Sequence, residues 1–400
     1  MIQMSVSKFI NVYLPVIVKY DFDVIPVMVG NPGISKTAQL HQLCERMNWG
    51  LVPVHLALRP IESLSGLPEI KRFDNELHTE WSMPEIISKA NELAKKHEKV
   101  ILFFDDIHLA DKSRQAYFFE LASERALQGH KLADNVRIVC AGNPTAKAGA
   151  KTFLTAIINR FTFIDVGITL KDWQDWVLDN TNKYAKFNAN INEKDIERVR
   201  SYKIHPMVLG FLMDNDAKLS EGENTSPFAS PRSWYFMSEW VKIFELLYGN
   251  TNNWNDDVIS DFSNIAKGTI GASIATEFVT FIKYTYDIDI EKIMKDPKEL
   301  LKIQDKEKRI AAYTLTLARL ADPKNRKYCV RFIDFAYYIL GNNGKAKHFA
   351  TIAISVLKNQ IIPAASKTVF ENDYLPPYDG RGYKEFFDIL TEIINDLKFV

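Results

Sequence analysis

The stretch Val27–Leu40, VMVGNPGISKTAQL, restricts the fold of this chain more than any other part of the sequence. An apolar run leads into a loop with two glycines, and a run that suits a helix follows. Gly30 and Gly33 permit the positive φ values and close backbone approach that let successive amide N–H groups point at an anion. Lys36 would then reach the β- and γ-phosphates of a nucleotide, and Thr37 would place its hydroxyl on Mg²⁺. The stretch therefore predicts a strand–loop–helix phosphate site.

One position in this loop departs from the expected pattern. The candidate nucleotide contacts are Gly30, Asn31, Pro32, Gly33, Ile34, Ser35, Lys36 and Thr37. The pattern G-x-x-x-x-G-K-[ST] has glycine before the lysine, whereas this chain has Ser35. We expect Ser35 to be tolerated because it should already have the φ and ψ angles of the following helix. By itself the stretch also fits an ordinary turn between a strand and a helix, so other parts of the chain must decide.

Composition narrows the class of protein. With 46% apolar residues, 25 Phe and 7 Trp, the 400-residue chain is globular and long enough for two or three domains. Fifty basic and fifty acidic residues exclude a global attraction to nucleic acid or anionic membranes. Three distant cysteines and scattered histidines support neither a disulfide framework nor a zinc site, and they favour the cytoplasm. The first 20 residues are interpreted as an amphipathic helix, and no apolar run is long enough to span a membrane.

A second apolar run, Lys99–Asp106 with the sequence KVILFFDD, ends in two carboxylates. This pattern is typical of a parallel strand covered on both faces, whose carboxyl end lies where ligands bind. Asp105 would hold Mg²⁺, directly or through water. Asp106 occupies the place where hydrolytic P-loop enzymes usually have the glutamate that polarises the attacking water. A pair of helix N-caps is the alternative interpretation.

Three further polar residues are candidates for the same site. Asn143 follows an apolar strand over Val136–Cys140, where its amide would orient water or contact the γ-phosphate, although an asparagine before proline also forms ordinary turns. Arg160 is either a solvated residue at a helix end or an arginine finger for a neighbouring subunit's nucleotide. Arg232 lies in the first turn of a helix signalled by a Ser-Pro pair, near a nucleotide clamp or simply on the surface.

The order of elements predicts an α/β fold followed by helices. Strands alternate with helices up to residue 170, and the segment IKRFDNELHTEW within them is interpreted as a hairpin around Asp74 or as an irregular surface loop. Apolar spacing of three and four residues then predicts helices over 270–286, 305–320, 330–340, 345–358 and 383–397. We expect three domains, with bounds 1–170, 171–250 and 251–400.

Taken together, these motifs resemble those of AAA+ ATPases. GNPGISKT, the strand into Asp105 and Asp106, AGN at Asn143, NRF at Arg160 and SPRSW at Arg232 follow in the family's order. The likeness covers roughly residues 20–245 and is greatest to the MoxR-like branch, particularly its phage-type members. It implies a P-loop NTPase (AAA+) α/β core with a parallel sheet and flanking helices, followed by a helical lid and an all-helical C-terminal extension.

The resemblance also implies roles for individual residues. Walker A would be Gly30–Thr37 and Walker B Leu102–Asp106, with ATP and Mg²⁺ as ligands. Asn143 would be sensor 1, Arg160 a finger acting in trans, and Arg232 sensor 2 in its own or the adjacent site. The hairpin near residues 71–78 is similar to an insertion that faces a central pore. Family members usually form rings, often hexamers, that remodel a protein partner, in several cases one with a von Willebrand A domain.

The second carboxylate of Walker B departs from the family, because Asp106 is one methylene shorter than the usual glutamate. We therefore expect slow hydrolysis with good ATP binding. A remodelling ring is the leading interpretation, and a nucleotide-switched assembly scaffold is the second. A nucleic-acid motor or loader is the third, and its local support is a basic cluster that a solvated helix face explains equally well. The cluster consists of Lys324, Arg326, Lys327 and Arg331, with Tyr328 and Phe332 interleaved.

Overall fold

The structure, a computed structural model, describes residues 3–73, 76–143, 155–177, 191–201, 203–213, 215–221, 227–321 and 323–338, and the single residues 353 and 377. The described residues belong to two compact units. The first unit draws on 1–190, 218–243 and 256–276, and the second on 191–217, 244–255 and 277–400. These units are defined by how compactly their residues pack together and do not test the predicted domain bounds. The three domains 1–170, 171–250 and 251–400 therefore stay a prediction.

A six-stranded parallel sheet forms the centre of the first unit, in the order β1-β10-β2-β9-β6-β3. Its strands are β1 (Met4–Ser5), β2 (Pro26–Val29), β3 (Gly50–His55), β6 (Val100–Asp105), β9 (Val136–Gly142) and β10 (Thr162–Gly167). The connecting helices are Lys36–Met47, Ile61–Ser65, Glu85–Ala94, Lys112–Glu124 and Thr155–Ile158, with 3-10 turns at Leu56–Leu58 and Ile107–Leu109, and helix Leu170–Val177 follows β10. The predicted α/β fold with a parallel sheet is confirmed.

The position of β6 in the middle of the sheet explains why its sequence is continuously apolar and does not alternate between apolar and polar residues. Every residue of β6 is buried, and Phe103 and Phe104 have no exposed surface. Helices cover both faces of such a strand, so apolar side chains are favoured on each. The ring of Phe104 packs on Phe118 of the helix Lys112–Glu124, with 4.7 Å between ring centroids. This packing fixes the carboxyl end of β6, where Asp105 and Asp106 lie.

The N-terminal segment is helical, as expected, but the prediction of an amphipathic helix is wrong. It consists of Val6–Lys8, a π-helical turn at Phe9–Tyr13 and Leu14–Lys19, and the side chains from Phe9 to Val18 are all buried. The physical reason is that two other helices contact this segment. Ser7 Oγ donates to Gln39 of the helix Lys36–Met47, at 2.8 Å, and the Tyr13 hydroxyl donates to Asp261 of the helix Asp256–Ile270, also at 2.8 Å.

The predicted hairpin is confirmed as β4 (Pro68–Phe73) paired antiparallel with β5 (Glu76–Trp81). Its turn, residues 74 and 75, lies outside the described residues. Both strands are exposed, and Ile70 and Leu77 keep 75% and 69% of their surface in solvent. A second small hairpin, β7 (Ala126–Leu127) with β8 (His130–Lys131), contacts the base of the first, because His130 Nε2 lies 2.8 Å from the Trp81 carbonyl oxygen.

The later part of the chain is helical. Its helices are Glu193–Arg200, Pro206–Met213, Pro231–Tyr248, Asp256–Ile270, Ala272–Lys283, Ile290–Lys295, Lys306–Leu320 and Cys329–Tyr338. Three of the predicted helices are found here with small shifts at their ends. Apart from Ala353, which is helical, the predicted helices over 345–358 and 383–397 lie outside the described residues. Within the second unit, Gly210 approaches Thr314 so closely that an added Cβ would lie 2.2 Å from its Cγ2 atom.

Candidate nucleotide-binding site

The loop between β2 and the helix Lys36–Met47 has two left-handed residues. Gly33 has φ 82°, as predicted. Ser35 has φ 67° and ψ 26°, so the expectation that it would already have the angles of the following helix is wrong. The chain needs a left-handed residue immediately before the lysine, which explains why the sequence pattern has glycine there. A non-glycine residue in this conformation costs about 1–2 kcal/mol.

Gly30 is required for a different reason, which is space. A Cβ atom at this position would lie 2.5 Å from the backbone oxygen of Val166 in β10 and 2.6 Å from Cδ1 of Ile34. The amide of Gly30 donates to the Gly142 carbonyl of β9 at 3.1 Å. The start of the loop is therefore held tightly between β9 and β10.

Lys36 is buried at the first turn of its helix, with 8% of its surface exposed. Its Nζ atom donates to the carbonyl oxygens of Gly30 (2.8 Å) and Asn31 (3.1 Å) and to Oδ1 of Asn143 (3.3 Å). These three acceptors are neutral, whereas a phosphate beside them would offer the ammonium a stronger, charge-assisted hydrogen bond. The structure thus brings together Lys36 and Asn143, two candidates that are more than a hundred residues apart in sequence.

Thr37 and Asp105 form the second contact across the site. The Thr37 hydroxyl donates to Oδ2 of Asp105 at 2.7 Å, and the other carboxylate oxygen accepts the backbone N–H of Asp106 at 3.0 Å. A hydroxyl and a carboxylate are oxygen ligands of the kind that Mg²⁺ takes together with phosphate oxygens. The residues present therefore fit Mg²⁺ bound to a nucleotide, with Thr37 and Asp105 as its protein ligands.

Asp106 lies at the turn that follows β6, in the left-handed conformation with φ 53°. Its side chain makes no capping hydrogen bond to the short turn Ile107–Leu109 and is 41% exposed. The residue that caps the next helix is Asp111, whose carboxylate accepts the N–H of Arg114 at 2.9 Å. The alternative interpretation of Asp106 as a helix N-cap therefore has no support in its side-chain contacts.

His108 belongs to this site, and the sequence analysis missed it. Its Nδ1 atom accepts the backbone N–H of Asn143 at 3.2 Å and lies 3.9 Å from Oδ1 of Asp106. Burial lowers the pKa of His108. The negative charge of Asp106 raises this pKa, and the positive charge of Lys36 lowers it further. The only sequence signal is a polar residue in an apolar turn directly after the two aspartates.

The two candidate arginines form a separate group. The guanidinium carbon of Arg160 lies 4.1 Å from the centroid of the Phe119 ring, a cation–π contact. Burial lowers the pKa of Arg160, and the charge of Arg232 lowers it further. Arg232 itself is exposed. Asn159, next to Arg160, accepts a hydrogen bond of 2.9 Å from the hydroxyl of Ser230, two residues before Arg232. The structure thus brings the predicted finger and the predicted sensor 2 within range of each other's charge.

The basic cluster near the end of the described chain is less suited to nucleic acid than its sequence indicates. Phe332 has no exposed surface and stacks on Tyr313, with 5.3 Å between ring centroids. Stacking on bases needs exposed rings. Among the described residues, no group of three or more His, Cys, Asp and Glu side chains forms a metal site, and no described helix is long and apolar enough to cross a membrane.

The fold and the site together define a P-loop α/β domain. Within the sequence, residues 26–161 match the family model of the AAA domain (dynein-related subfamily). This segment contains β2, the loop, β6, β9 and Arg160, and it is similar in sequence to AAA domains. The search of curated proteins finds no significant match.

Two solved structures are similar at low identity. One is a protein from Cytophaga hutchinsonii, provisionally assigned as an ATPase, with 12% identity and a TM-score of 0.42 over 70% of this chain and 90% of that one. The other is a full-length MCM homologue from Methanopyrus kandleri, with 14% identity and a TM-score of 0.34 over 68% of this chain and 54% of that one. Similarity at this level assigns neither a substrate nor an activity to this chain.

Proposed function

We propose that this chain is an AAA+ ATPase that binds Mg²⁺–ATP at the subunit interfaces of a ring, as a hexamer, and remodels a protein partner. One observation carries the proposal: Lys36, Asn143, Thr37 and Asp105 meet at the carboxyl edge of the parallel sheet, through contacts of 3.3 Å and 2.7 Å. That edge is where P-loop proteins bind nucleotides. We place the chain in the MoxR-like branch, near its phage-type members, and in the cytoplasm of the cell or of a phage host.

Each residue of the site has a distinct task in this proposal. Lys36 binds the β- and γ-phosphates, and the loop amides from Gly30 to Thr37 surround them. Thr37 and Asp105 hold Mg²⁺, which when bound neutralises charge on the phosphates. Asp106 polarises the attacking water, and Asn143 orients it. The buried and hydrogen-bonded positions of Lys36 and Asp105 keep this arrangement in place before the nucleotide arrives.

The second group of residues supports an interface between subunits. Arg160 and Arg232 lie close enough for the charge of one to lower the pKa of the other, and like charges held together favour an anion between or beside them. We propose that both arginines of one chain contact the γ-phosphate bound by the next chain. Arg232 then acts in trans together with Arg160, rather than on the nucleotide of its own P-loop.

The hairpin β4–β5 is the proposed contact for the protein partner. Its two strands are exposed in the part of the chain that the structure describes, and Ile70 and Leu77 keep most of their surface in solvent. Exposed apolar side chains on a projecting hairpin are typical of a surface that binds another protein. We propose that the hairpins of the ring face a central pore and act on the partner, for which a von Willebrand A domain is the first candidate.

Asp106 favours a second candidate function, a scaffold whose assembly is switched by ATP. Its side chain is one methylene shorter than that of glutamate, and its backbone, in the turn after β6, is in the left-handed conformation. If this geometry leaves the carboxylate far from the water, ATP is bound and held rather than rapidly hydrolysed. Binding then sets the ring state, and hydrolysis only resets it.

Native mass and ATP turnover of the full chain test the proposal together. We expect the mass to rise to that of a ring with ATP, and we expect turnover that the protein partner stimulates. Lys36→Ala should lose both ATP binding and the mass change. ATP-dependent assembly without turnover favours the scaffold. A ring that forms equally well with Lys36→Ala would show that ATP does not control assembly, and a wild-type chain that does not bind ATP would refute the proposal.

A further inference from the structure

His108 connects two strands at the point where the proposed chemistry takes place. It belongs to the turn after β6, and its ring reaches across to the end of β9. Nδ1 accepts the backbone N–H of Asn143 at 3.2 Å, and an added Cβ at Gly142 would lie 3.4 Å from the same atom. The contact therefore fixes both the backbone direction of Asn143 and the distance between the two strand ends.

The hydrogen bond also determines the form of the imidazole. An Nδ1 atom that accepts an N–H carries no proton, so in the neutral ring the proton is on Nε2. His108 keeps only 5% of its surface in solvent, an environment that favours the neutral form. His108 thus serves as a fixed acceptor for Asn143 and supplies no positive charge to the site.

The consequences extend to both sides of the site. Oδ1 of Asn143 accepts from Lys36, so His108, Asn143 and Lys36 form one chain of hydrogen bonds from β6 to the P-loop. On the other side, Nδ1 of His108 lies 3.9 Å from the Asp106 carboxylate. Asn143 can orient a water molecule for Asp106 only if its backbone has a fixed position relative to both residues.

We propose that His108 is a positioning residue of the ATP site, which holds Asn143 in register with Asp106 and Lys36 by accepting its backbone N–H. The inference rests on the proposed function, because positioning is meaningful only for a site that hydrolyses ATP. His108 contacts neither the phosphates nor the attacking water in this role.

Two substitutions distinguish the effect of the hydrogen-bond acceptor of His108 from the effect of the size of its side chain. Asparagine has an oxygen two bonds from Cβ, as histidine has Nδ1, whereas leucine has a methyl group there. We expect His108→Leu to lower kcat by about 100-fold, the cost of misplacing a reacting group by about 1 Å. The Kd for ATP should change little, because the role lies in the chemical step. His108→Asn should keep most of the activity, and His41→Leu, on an exposed position of the helix Lys36–Met47, should keep all of it.

Nuclear magnetic resonance of ¹⁵N-histidine-labelled protein provides a measurement that does not depend on turnover. The signal that is lost in His108→Asn should be that of a neutral ring with its proton on Nε2. A protonated ring or the opposite tautomer would overturn the contact, and this measurement decides alone if His108→Leu does not fold. Normal kcat in His108→Leu, equal losses in both variants, or a parallel loss of ATP binding would overturn the positioning role. A wild-type chain that gives the expected tautomer but does not bind ATP would instead contradict the proposed function.

Discussion

The hydroxyl of Thr37 lies 2.7 Å from Oδ2 of Asp105, so the first turn of the P-loop helix touches the end of a central strand. If these atoms hold Mg²⁺, ATP affinity should depend on the metal and on the hydroxyl. We expect Thr37→Val to lower the affinity for Mg²⁺–ATP by at least about tenfold, the lower limit for loss of even an outer-shell partner of a metal. Titration calorimetry with Mg²⁺ and with EDTA measures this effect.

The matched control for this change is Thr37→Ser, which keeps the hydroxyl and should bind Mg²⁺–ATP almost as the wild type does. Without the metal, the three proteins should bind ATP with similar affinity. An equal loss of ATP affinity in Thr37→Val and Thr37→Ser, or a loss of affinity that persists in EDTA, would mean that Thr37 contributes packing and not a metal ligand.

In the proposed function, Asp106 is the residue that decides whether bound ATP is hydrolysed quickly or held. We expect Asp106→Glu to raise kcat by about tenfold or more, because a well-placed general base contributes about 10²–10⁴-fold. Asp106→Asn removes the carboxylate and should abolish turnover while ATP still binds. Steady-state ATPase assays at saturating ATP separate these outcomes. A wild-type rate that Asp106→Glu leaves unchanged or lowers would contradict the account of a slow ATPase.

The left-handed Ser35 predicts an unusual stabilising change. Ser35→Gly should raise the free energy of unfolding by ~0.5–1 kcal/mol, since relief of backbone strain outweighs the greater freedom of glycine in the unfolded chain. Gly33→Ala should lower it by about 1–2 kcal/mol for conformational reasons alone, because no atom of the described residues lies within 4 Å of the added Cβ. Ser35→Ala, whose native side chain caps nothing, should be nearly neutral. Urea unfolding of the three variants checks the order.

In the second unit, a buried carboxylate predicts how stability depends on pH. Burial alone would raise the pKa of Glu245, but the hydrogen bond from His205 (3.0 Å) and the charge of Arg198 lower it to about 2. Its folded-state pKa is thus below the ordinary 4.5, so its stabilising contribution is complete above pH 4.5 and is lost as the pH falls towards 2.

We expect Glu245→Gln to lower the free energy of unfolding by ~3 kcal/mol at pH 7, because it removes the buried carboxylate that Arg198 faces. The variant should also lose part of the acid dependence below pH 4.5. Glu197→Gln, an exposed change on the same helix as Arg198, is the control. Thermal melts between pH 3 and 7 measure both effects, and a parallel pH profile for wild type and Glu245→Gln would exclude this role.

The sequence predicted the parts of the fold that periodicity determines, because buried parallel strands are continuous apolar runs and helices repeat every three to four residues. It predicted that Lys36, Thr37 and Asp105 lie at one sheet edge, because the P-loop pattern places the first two there and the apolar run of β6 ends at the third. It failed where tertiary contacts decide. The angles of Ser35 follow from the loop as a whole, the burial of the N-terminal helix follows from Asp261 far along the chain, and His108 is a lone histidine until β9 lies beside it.

The central claim is that one chain supplies Lys36 and its neighbour supplies Arg160 to the same nucleotide. Mixing two inactive variants, Lys36→Ala and Arg160→Ala, tests it most directly. In a randomly mixed ring of heterologous interfaces, about a quarter of the sites would pair an intact P-loop with an intact finger. The account predicts that each variant alone hydrolyses almost no ATP and that the mixture recovers about that fraction of wild-type turnover. A mixture as inactive as its components, or an Arg160→Ala chain that is fully active alone, would contradict it.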